Sequence, residues 1–264
     1  MVCVGLDPDA TRLPRGVPPA PAGIVEFCRQ IVDATAQYVC AFKPQAAYFG
    51  ALGLEDELAE LIAYIHEQHP DVPVILDAKR GDIGATARLY AIEAFQRYGA
   101  DAVTLNPYLG AESVEPYLDY PDRGIVLLCR TSNPGSGWLQ ADPNDAEPVY
   151  LRVAAAAGQW NRHGNVMLVA GATYPEDLRK IRDRAGDIPL LVPGIGAQGG
   201  DLESVVAAGI DASGYGLVIN ASRSVLYASD GEDYADAAAM AARDLRDAIR
   251  RAASSRDSAE IASR

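Results

Sequence analysis

Eight short runs rich in Val, Ile and Leu alternate with eight helical stretches along this 264-residue chain, and that alternation restricts the fold more than any other feature. The runs are 1–7, 38–44, 72–79, 101–106, 124–131, 166–173, 189–194 and 214–220. The helical stretches between and after them are 23–37, 55–68, 84–98, 112–118, 147–162, 175–185, 201–208 and 234–253. Runs this continuously apolar suit strands covered on both faces, and strands separated by helices pair in parallel. Eight such units in about 250 residues predict an α/β chain folded as one (β/α)8 TIM barrel. A doubly wound open sheet is the alternative until motifs are considered. No linker divides the chain, so the expectation is a single barrel domain over 1–253 and a frayed polar tail over 254–264. The first strand begins at Met1, so either a segment precedes it or the bottom of the barrel is open.

Composition removes several classes of function. With 49% hydrophobic residues the chain is not disordered. No apolar run reaches the roughly 18–20 residues of a membrane helix, so no membrane association is expected. Lys and Arg total 23 against 36 Asp and Glu, a net charge of −13, which opposes nucleic-acid binding but leaves room for a local cationic pocket. Cys3, Cys28, Cys40 and Cys129 lack metal-ligand spacing and read as buried free thiols of a reducing cytoplasm. His66, His69 and His163 read as surface residues, and no zinc site is expected.

In a barrel the chemistry gathers at the C-terminal ends of the strands. Those ends carry Asp7, Lys43, Asp77, Lys79, Asn106, Arg130 to Ser132, Gly194 to Gly196 and Arg223, more charge than solvated strand ends require. The richest segment is V-I-L-D-A-K-R-G-D-I-G-A-T, 74–86. Strand alternation turns Asp77 and Lys79 to one face, with Lys43 of the preceding strand at a similar height. Asp82 follows Gly81, where an unusual backbone is permitted. Two ammonium groups and two carboxylates would then alternate, a set that mutual pairing makes tolerable in a pocket. A purely structural ion-pair network is the competing reading of this segment.

A phosphate site is expected opposite. Gly194, Gly196, Gly199 and Gly200 follow the seventh strand and precede a helix, where backbone N–H groups favour an anion. A flexible turn explains the glycines equally well until Arg223 is added, one strand on, as a bidentate phosphate ligand. The Pro/Gly/Asn-rich loop 132–148 is long for its place and reads as a lid. Asn106 is a candidate for orienting the charges and Arg130 for a supporting pair, with a structural role as the alternative for each.

With these motifs in hand, the sequence resembles the orotidine 5'-monophosphate decarboxylase family. The likeness runs through G-L-D at 5–7, F-K-P at 42–44, D-A-K-R-G-D-I-G at 77–84, L-N-P-Y-L-G at 105–110, P-G-I-G-A-Q-G-G at 193–200 and S-R-S at 222–224. The D-x-K-x-x-D core is shared with related sugar-phosphate lyases, and the combination with the seventh-strand loop is more specific. L-N-P-Y-L-G and C-R-T-S-N-P-G look like the longer bacterial branch. The resemblance implies decarboxylation of a pyrimidine nucleotide without metal or organic cofactor. It implies that Lys79 protonates C6, that Asp77 lies beside the departing carboxylate, and that Lys43 and Asp82 complete the network. It assigns the ribose hydroxyls to Asp7 and Lys43, the pyrimidine to Ser132, and a bridge between phosphate and base to Gln198. It also implies a homodimer in which Asp82, Ile83 and Thr86 enter the partner's site. The rivals are a magnesium-dependent sugar-phosphate lyase, in which Asp77 and Asp82 would hold the cation, and a nucleotide-binding barrel without chemistry.

Overall fold

The computed structural model describes residues 1–142, 147–195 and 201–262, with side chains as far as 255. Eight parallel strands are present: β1 (Val2–Leu6), β2 (Ala41–Pro44), β3 (Ile75–Arg80), β4 (Ala102–Leu105), β5 (Gly124–Arg130), β6 (Val166–Ala170), β7 (Leu190–Pro193) and β8 (Leu217–Ala221). Each is hydrogen-bonded to its neighbours in the order β2-β1-β8-β7-β6-β5-β4-β3. The ring is completed between β2 and β3 by two isolated parallel bridges, Phe42 with Val74 and Gln45 with Asp77. The barrel is therefore nearly closed, and its weakest seam runs between the strands that carry Lys43 and Asp77.

The principal helices are α1 (Pro21–Thr35), α2 (Glu55–Gln68), α3 (Gly84–Ile92), α4 (Glu115–Leu118), α5 (Val149–Trp160), α6 (Pro175–Ala185), α7 (Leu202–Gly209) and α8 (Tyr234–Ala262). Pro stands in the first turn of α1, α4 and α6, where its missing N–H costs nothing. Asp201 caps α7 by accepting from the backbone N–H groups of Glu203 and Ser204. The core has two shells. Outward-facing Val4, Leu6, Phe42, Leu76, Val103 and Leu127 pack under the helices with Phe27, Ile31, Leu61 and Ile65. Inside the ring, Cys3, Ala41, Ile75, Ala102, Val126, Val169 and Leu191 form a second cluster. This double burial is why the strands are apolar at nearly every position.

Several boundaries differ from the sequence reading. The second strand starts at Ala41 because Ala36–Tyr38 continues as a 3-10 turn after α1. The stretch 84–98 is α-helical only to Ile92, then becomes a π-helical turn over Glu93–Arg97. Glu93 in that turn grips Arg80 through two hydrogen bonds of 3.0 and 3.1 Å. The stretch 112–118 reduces to one α-helical turn preceded by 3-10 turns at Pro107–Leu109 and Ala111–Ser113. The expected frayed tail is corrected: α8 runs on to Ala262. Ser254 and Ser255 donate their hydroxyls to the carbonyls of Arg250 and Arg251, one turn back in the helix.

The cysteines are free as expected, with Cys3, Cys28 and Cys129 buried and Cys40 partly exposed. His163 is exposed, but His66 and His69 are half-buried and meet Asp101 at 2.9 Å and Asp33 at 2.8 Å. Among the described residues no helix is long and apolar enough to cross a membrane.

The bottom of the barrel is tied by Arg182, a buried side chain of α6. Its guanidinium donates to the carbonyls of Gly209 at 2.8 Å, Gly186 at 2.5 Å, Ile188 at 2.8 Å and Gly216 at 2.9 Å, joining α6, α7 and the approaches to β7 and β8. Removing it strands buried acceptors, a costlier loss than an average contact. Arg182→Met is expected to lower stability by about 3 kcal/mol in urea unfolding, without changing kcat of the folded fraction. A bottom-face residue should carry stability and not chemistry.

Candidate active site

The inner shell becomes polar towards the C-terminal ends of the strands. Two residues beyond Ala41 stands Lys43, beyond Ile75 stands Asp77, beyond Ala102 stands Thr104, and beyond Val218 stands Asn220. The strand period keeps all of them on the face of the apolar residue below.

Asp77 is the hub. Its Oδ2 accepts from Lys43 Nζ at 2.7 Å and its Oδ1 from Lys79 Nζ at 2.6 Å. Thr104 Oγ1 donates to Oδ1 at 2.9 Å and accepts from the Lys79 backbone N–H at 2.9 Å. Lys43 and Asp77 are buried, whereas the Lys79 side chain is 45% exposed. Burial alone would push the Asp77 carboxyl up, but the ammonium groups of Lys43 and Lys79 overcome it and bring it down to about 2. For Lys43 burial favours the neutral amine, yet Asp77 and Asp7 outweigh that and raise it above an ordinary lysine. Asp7 behaves oppositely. Burial dominates and raises its carboxyl, although Lys43 and the Ser222 hydroxyl pull it down.

The meeting of Asp77 with Lys79 owes more than alternation. Pairing of β3 with β4 slips between Leu76 and Arg80, and Lys79 has φ +46°, the one non-glycine residue of positive φ among the described residues. That left-handed backbone is strained for a side chain and persists where surrounding bonds over-determine it. Here the Thr104 hydroxyl takes the Lys79 N–H that the slipped ladder leaves over. The unusual conformation expected at Gly81 thus falls two residues earlier. Gly81 has no positive φ, and its hydrogen faces the carbonyl of Asn106, 3.2 Å from where a Cβ would sit.

Asp7, Lys43, Asp77, Ser132, Gly194 and Arg223 line one cavity of about 230 Å³. Gly194 has φ +101° at the end of β7, and Arg223 opens the short helix Arg223–Leu226 after β8. Ser132 reaches the cavity because Gly171, immediately after β6, carries no side chain: a Cβ there would lie 2.8 Å from the Ser132 backbone nitrogen. Gly196 and Gln198, with Gly199 and Gly200, lie outside the described residues.

Three expected residues are not brought to the cluster by this chain. Asp82 uses its carboxylate to accept from the N–H of Ile83 at 2.8 Å, and Ile83 and Thr86 are exposed. Asn106 does not orient the charges. It is exposed and caps the turn that follows by accepting from the Tyr108 N–H at 3.0 Å. Arg130 is structural as well: buried, it donates to Asp177 at 2.9 Å and Ser136 at 2.5 Å and lies 3.8 Å from the centre of the Tyr174 ring. The expected lid is folded over its first part, with a 3-10 turn at Pro134–Ser136 and a helical turn at Gly137–Gln140. Gln140 holds it back by accepting from the Thr131 N–H at 2.9 Å.

Thr104, Asn220 and Ser222 were not among the sequence candidates. The signal was available: each continues the inward parity of its strand by two residues, but Thr, Asn and Ser carry no charge to single them out.

A recess in which Lys43 and Arg223 face Asp7 and Asp77, at the C-terminal end of a nearly closed parallel barrel, defines a (β/α)8-barrel enzyme for a small polar substrate. The comparisons narrow this. The family model described as Orotidine 5'-phosphate decarboxylase / HUMPS family matches residues 1–238. An orotidine 5'-phosphate decarboxylase of Dechloromonas aromatica (strain RCB) is 58% identical over 250 residues, covering 94% of this chain and 93% of its own. The OMP decarboxylase of Leishmania donovani superposes with a TM-score of 0.83 at 39% identity, over 96% of this chain and 93% of its own. An orotidine 5'-phosphate decarboxylase of Azoarcus sp. (strain BH72) is likewise 58% identical over 250 residues, covering 94% of this chain and 93% of its own. The chain belongs to the orotidine 5'-phosphate decarboxylase / HUMPS family.

Two predictions arise from the cluster. Thr104→Val, which keeps shape but loses both hydrogen bonds, is expected to lower kcat/KM about 10- to 100-fold, with Thr104→Ser retaining most of it; steady-state kinetics checks this. Asp7 has its carboxyl raised above 3.8, so its contribution to stability is present below that value and lost as pH rises through the folded-state value. Asp7→Asn is therefore expected to raise the urea midpoint at pH 7, with the gain shrinking towards pH 4, while substrate binding weakens.

Proposed function

We propose that this protein decarboxylates orotidine 5'-monophosphate to uridine 5'-monophosphate and carbon dioxide, a step of pyrimidine nucleotide synthesis. The observation that carries the reading is Asp77 held ionised between two ammonium groups beside a cavity that Arg223 also lines.

In this reading the bond from C6 to the carboxylate breaks heterolytically. Carbon dioxide leaves, and the electron pair stays on C6 in the ring plane, where no π-system delocalises it. The Lys79 ammonium stabilises that pair and then donates its proton to C6, to be reprotonated from solvent. Asp77 lies beside the substrate carboxylate and adds ground-state repulsion. Because its charge is fixed by Lys43, Lys79 and Thr104, little reorganisation accompanies the reaction. Asp7 and Lys43 take the ribose hydroxyls and Ser132 the pyrimidine. Gly194, Gly196 and Arg223 take the phosphate, with Gln198 bridging to the base. Binding energy from the non-reacting phosphate closes the loops after β5 and β7 and offsets desolvation at C6.

The working form is proposed as a homodimer in which Asp82, Ile83 and Thr86 enter the partner's site and Asp82 completes the alternation of charge. Two observations support it: Asp82 is left outside the cluster of its own chain, and Ile83, Leu89 and Ile92 are 51%, 65% and 40% exposed on one short segment. The four free thiols suit a cytoplasmic enzyme. Neither a metal nor an organic cofactor is required, because the ammonium groups supply the positive charge and both oxygens of Asp77 are committed to protein donors.

The test is an ultraviolet assay with orotidine 5'-monophosphate, with and without EDTA. Conversion that ignores EDTA and falls by at least about 10⁴-fold in Lys79→Ala is expected. Absence of turnover by folded protein would sink the reading. Mixing Lys79→Ala with Asp82→Asn tests the dimer: shared sites leave one intact site per mixed dimer and restore up to about a quarter of wild-type activity. Sites confined to one chain restore none.

A further inference from the structure

We propose that the bidentate ion pair of Arg80 with Glu93 is a positioning clasp that imposes the left-handed backbone of Lys79 and so places its ammonium on Asp77. The proposal rests on the decarboxylase reading for its kinetic readout and on geometry alone for the strain.

β3 does not run straight through Lys79. Leu76 pairs with Val103 and Arg80 with Leu105, so β3 spends four residue steps where β4 spends two. A bulge takes up the surplus, and Lys79 at φ +46° lies inside it. A left-handed backbone is unfavourable for any residue with a side chain, so the chain has to be held on both sides of it. On the amino side, the Lys79 N–H donates to the Thr104 hydroxyl at 2.9 Å. On the carboxyl side, two grips act on the next residue. The Asn106 N–H donates to the Arg80 carbonyl at 2.7 Å, and Glu93 clasps the Arg80 side chain.

Arg80 Nε donates to Glu93 Oε2 at 3.0 Å and Nη2 to Oε1 at 3.1 Å, the two bonds of a guanidinium fork on a carboxylate. The guanidinium also lies 4.6 Å from the centre of the Tyr90 ring. With the two side chains only 29% and 22% exposed, the pair is unlike a surface ion pair, whose members wander. Arg80 faces outward under α3 and Lys79 inward, so holding one side chain of this dipeptide orients the other. The covering helix is fitted to the task. α3 gives way to the π-helical turn at Glu93 itself, whose carbonyl accepts from the Tyr98 N–H, five residues on, at 3.0 Å. Turns of this kind insert a residue into a helix and are frequent at functional sites.

Lys79 needs this hold more than Lys43 does. Its ammonium is bound to one carboxylate oxygen, at 2.6 Å, and its side chain is 45% exposed, so packing does not fix it. Lys43 is buried against Asp77 from a regular stretch of strand. Without the clasp, the peptide between Lys79 and Arg80 turns back towards an ordinary extended backbone, and the ammonium moves off the carbon it must protonate. Arg80 and Glu93 act through Lys79 and are positioning residues.

The test uses the full chain and two readouts. In the first, Arg80→Met and Glu93→Gln are assayed for kcat and KM. Both are expected to lower kcat, Arg80→Met by at least about tenfold, with KM within about threefold because the phosphate and ribose contacts lie elsewhere. A lower urea midpoint with kcat of the folded fraction unchanged in both variants overturns the proposal. The second readout needs no turnover. Lys79→Ala and Lys79→Gly both lose the ammonium, but only glycine accepts a positive φ without penalty, so the difference between their urea midpoints reports the strain. With the clasp intact, Lys79→Gly is expected to unfold at higher urea than Lys79→Ala. In the Arg80→Met and Glu93→Gln backgrounds that order is expected to vanish or reverse, because a relaxed backbone favours alanine. A glycine advantage that persists with the clasp broken, or that is absent with it intact, overturns the proposal. If wild-type protein does not turn over orotidine 5'-monophosphate, the decarboxylase reading falls by itself, and the urea comparison still decides the clasp.

Discussion

The carboxylate of Asp77 is where folding and chemistry meet. Among the described residues, β2 and β3 are the neighbours in the ring joined by isolated bridges instead of a ladder, and one of those bridges is Gln45 with Asp77 itself. The side chains supply what the backbone lacks, since Lys43 on β2 reaches Asp77 on β3 at 2.7 Å. Neither charge is tolerable there alone. Breaking a buried pair leaves an uncompensated charge and costs several kcal/mol, whereas the complete set is nearly neutral. The strained backbone of Lys79, the register slip against β4 and the hydroxyl of Thr104 all serve to bring a second ammonium onto the same carboxylate.

The two ends of the barrel divide the labour. At the bottom, Arg182 and Asp101 satisfy main-chain groups just ahead of several strands: Asp101 accepts from the Val74 N–H at 2.8 Å and from Arg123 at 3.3 Å. At the top, hydrogen-bonding capacity is left over. Asp7 Oδ1 and Asn220 Oδ1 are unpaired, Asp7 is held where burial opposes its charge, and Lys79 is half exposed. Polar groups arranged this way favour a ligand over the closed polypeptide, and the stability given up at one end is recovered at the other.

Much of the fold was legible because burial on both faces writes a simple pattern. Six of the eight strands fall inside the apolar runs and β3 and β8 overrun theirs by one residue, at Arg80 and Ala221; the larger differences lie at ends where local polar bonds decide: the turn at Ala36–Tyr38, the π-helical turn built around Glu93, and the serines within α8. Of the site, the charged members were legible from their position at strand ends. Lys43, Asp77 and Asp7 stand where parity put them, and Arg223 reaches the same cavity from the helix that follows β8. Asn106 and Arg130 occupy the same kind of position and do something else, because a cap and a structural ion pair use the same residue types as a binding site. Thr104 and Ser222 gave no signal of their own, since a neutral hydroxyl reveals its purpose only through what it touches.

Sequence alone determined the number of strands, the parity that turns Lys43 and Asp77 inward, and the family to which the motifs point, because each depends on period and residue type over short distances. It could not decide that the barrel would close most weakly between β2 and β3, that Lys79 and not Gly81 would take the left-handed backbone, or that Ser132 would reach the cavity past a glycine at 171. Those are contacts between residues 25 to more than 200 positions apart, such as Thr104 with Lys79 or Tyr227 with Asp7. They exist only once eight strands share one axis, and local propensity carries no information about which side chains that axis brings together.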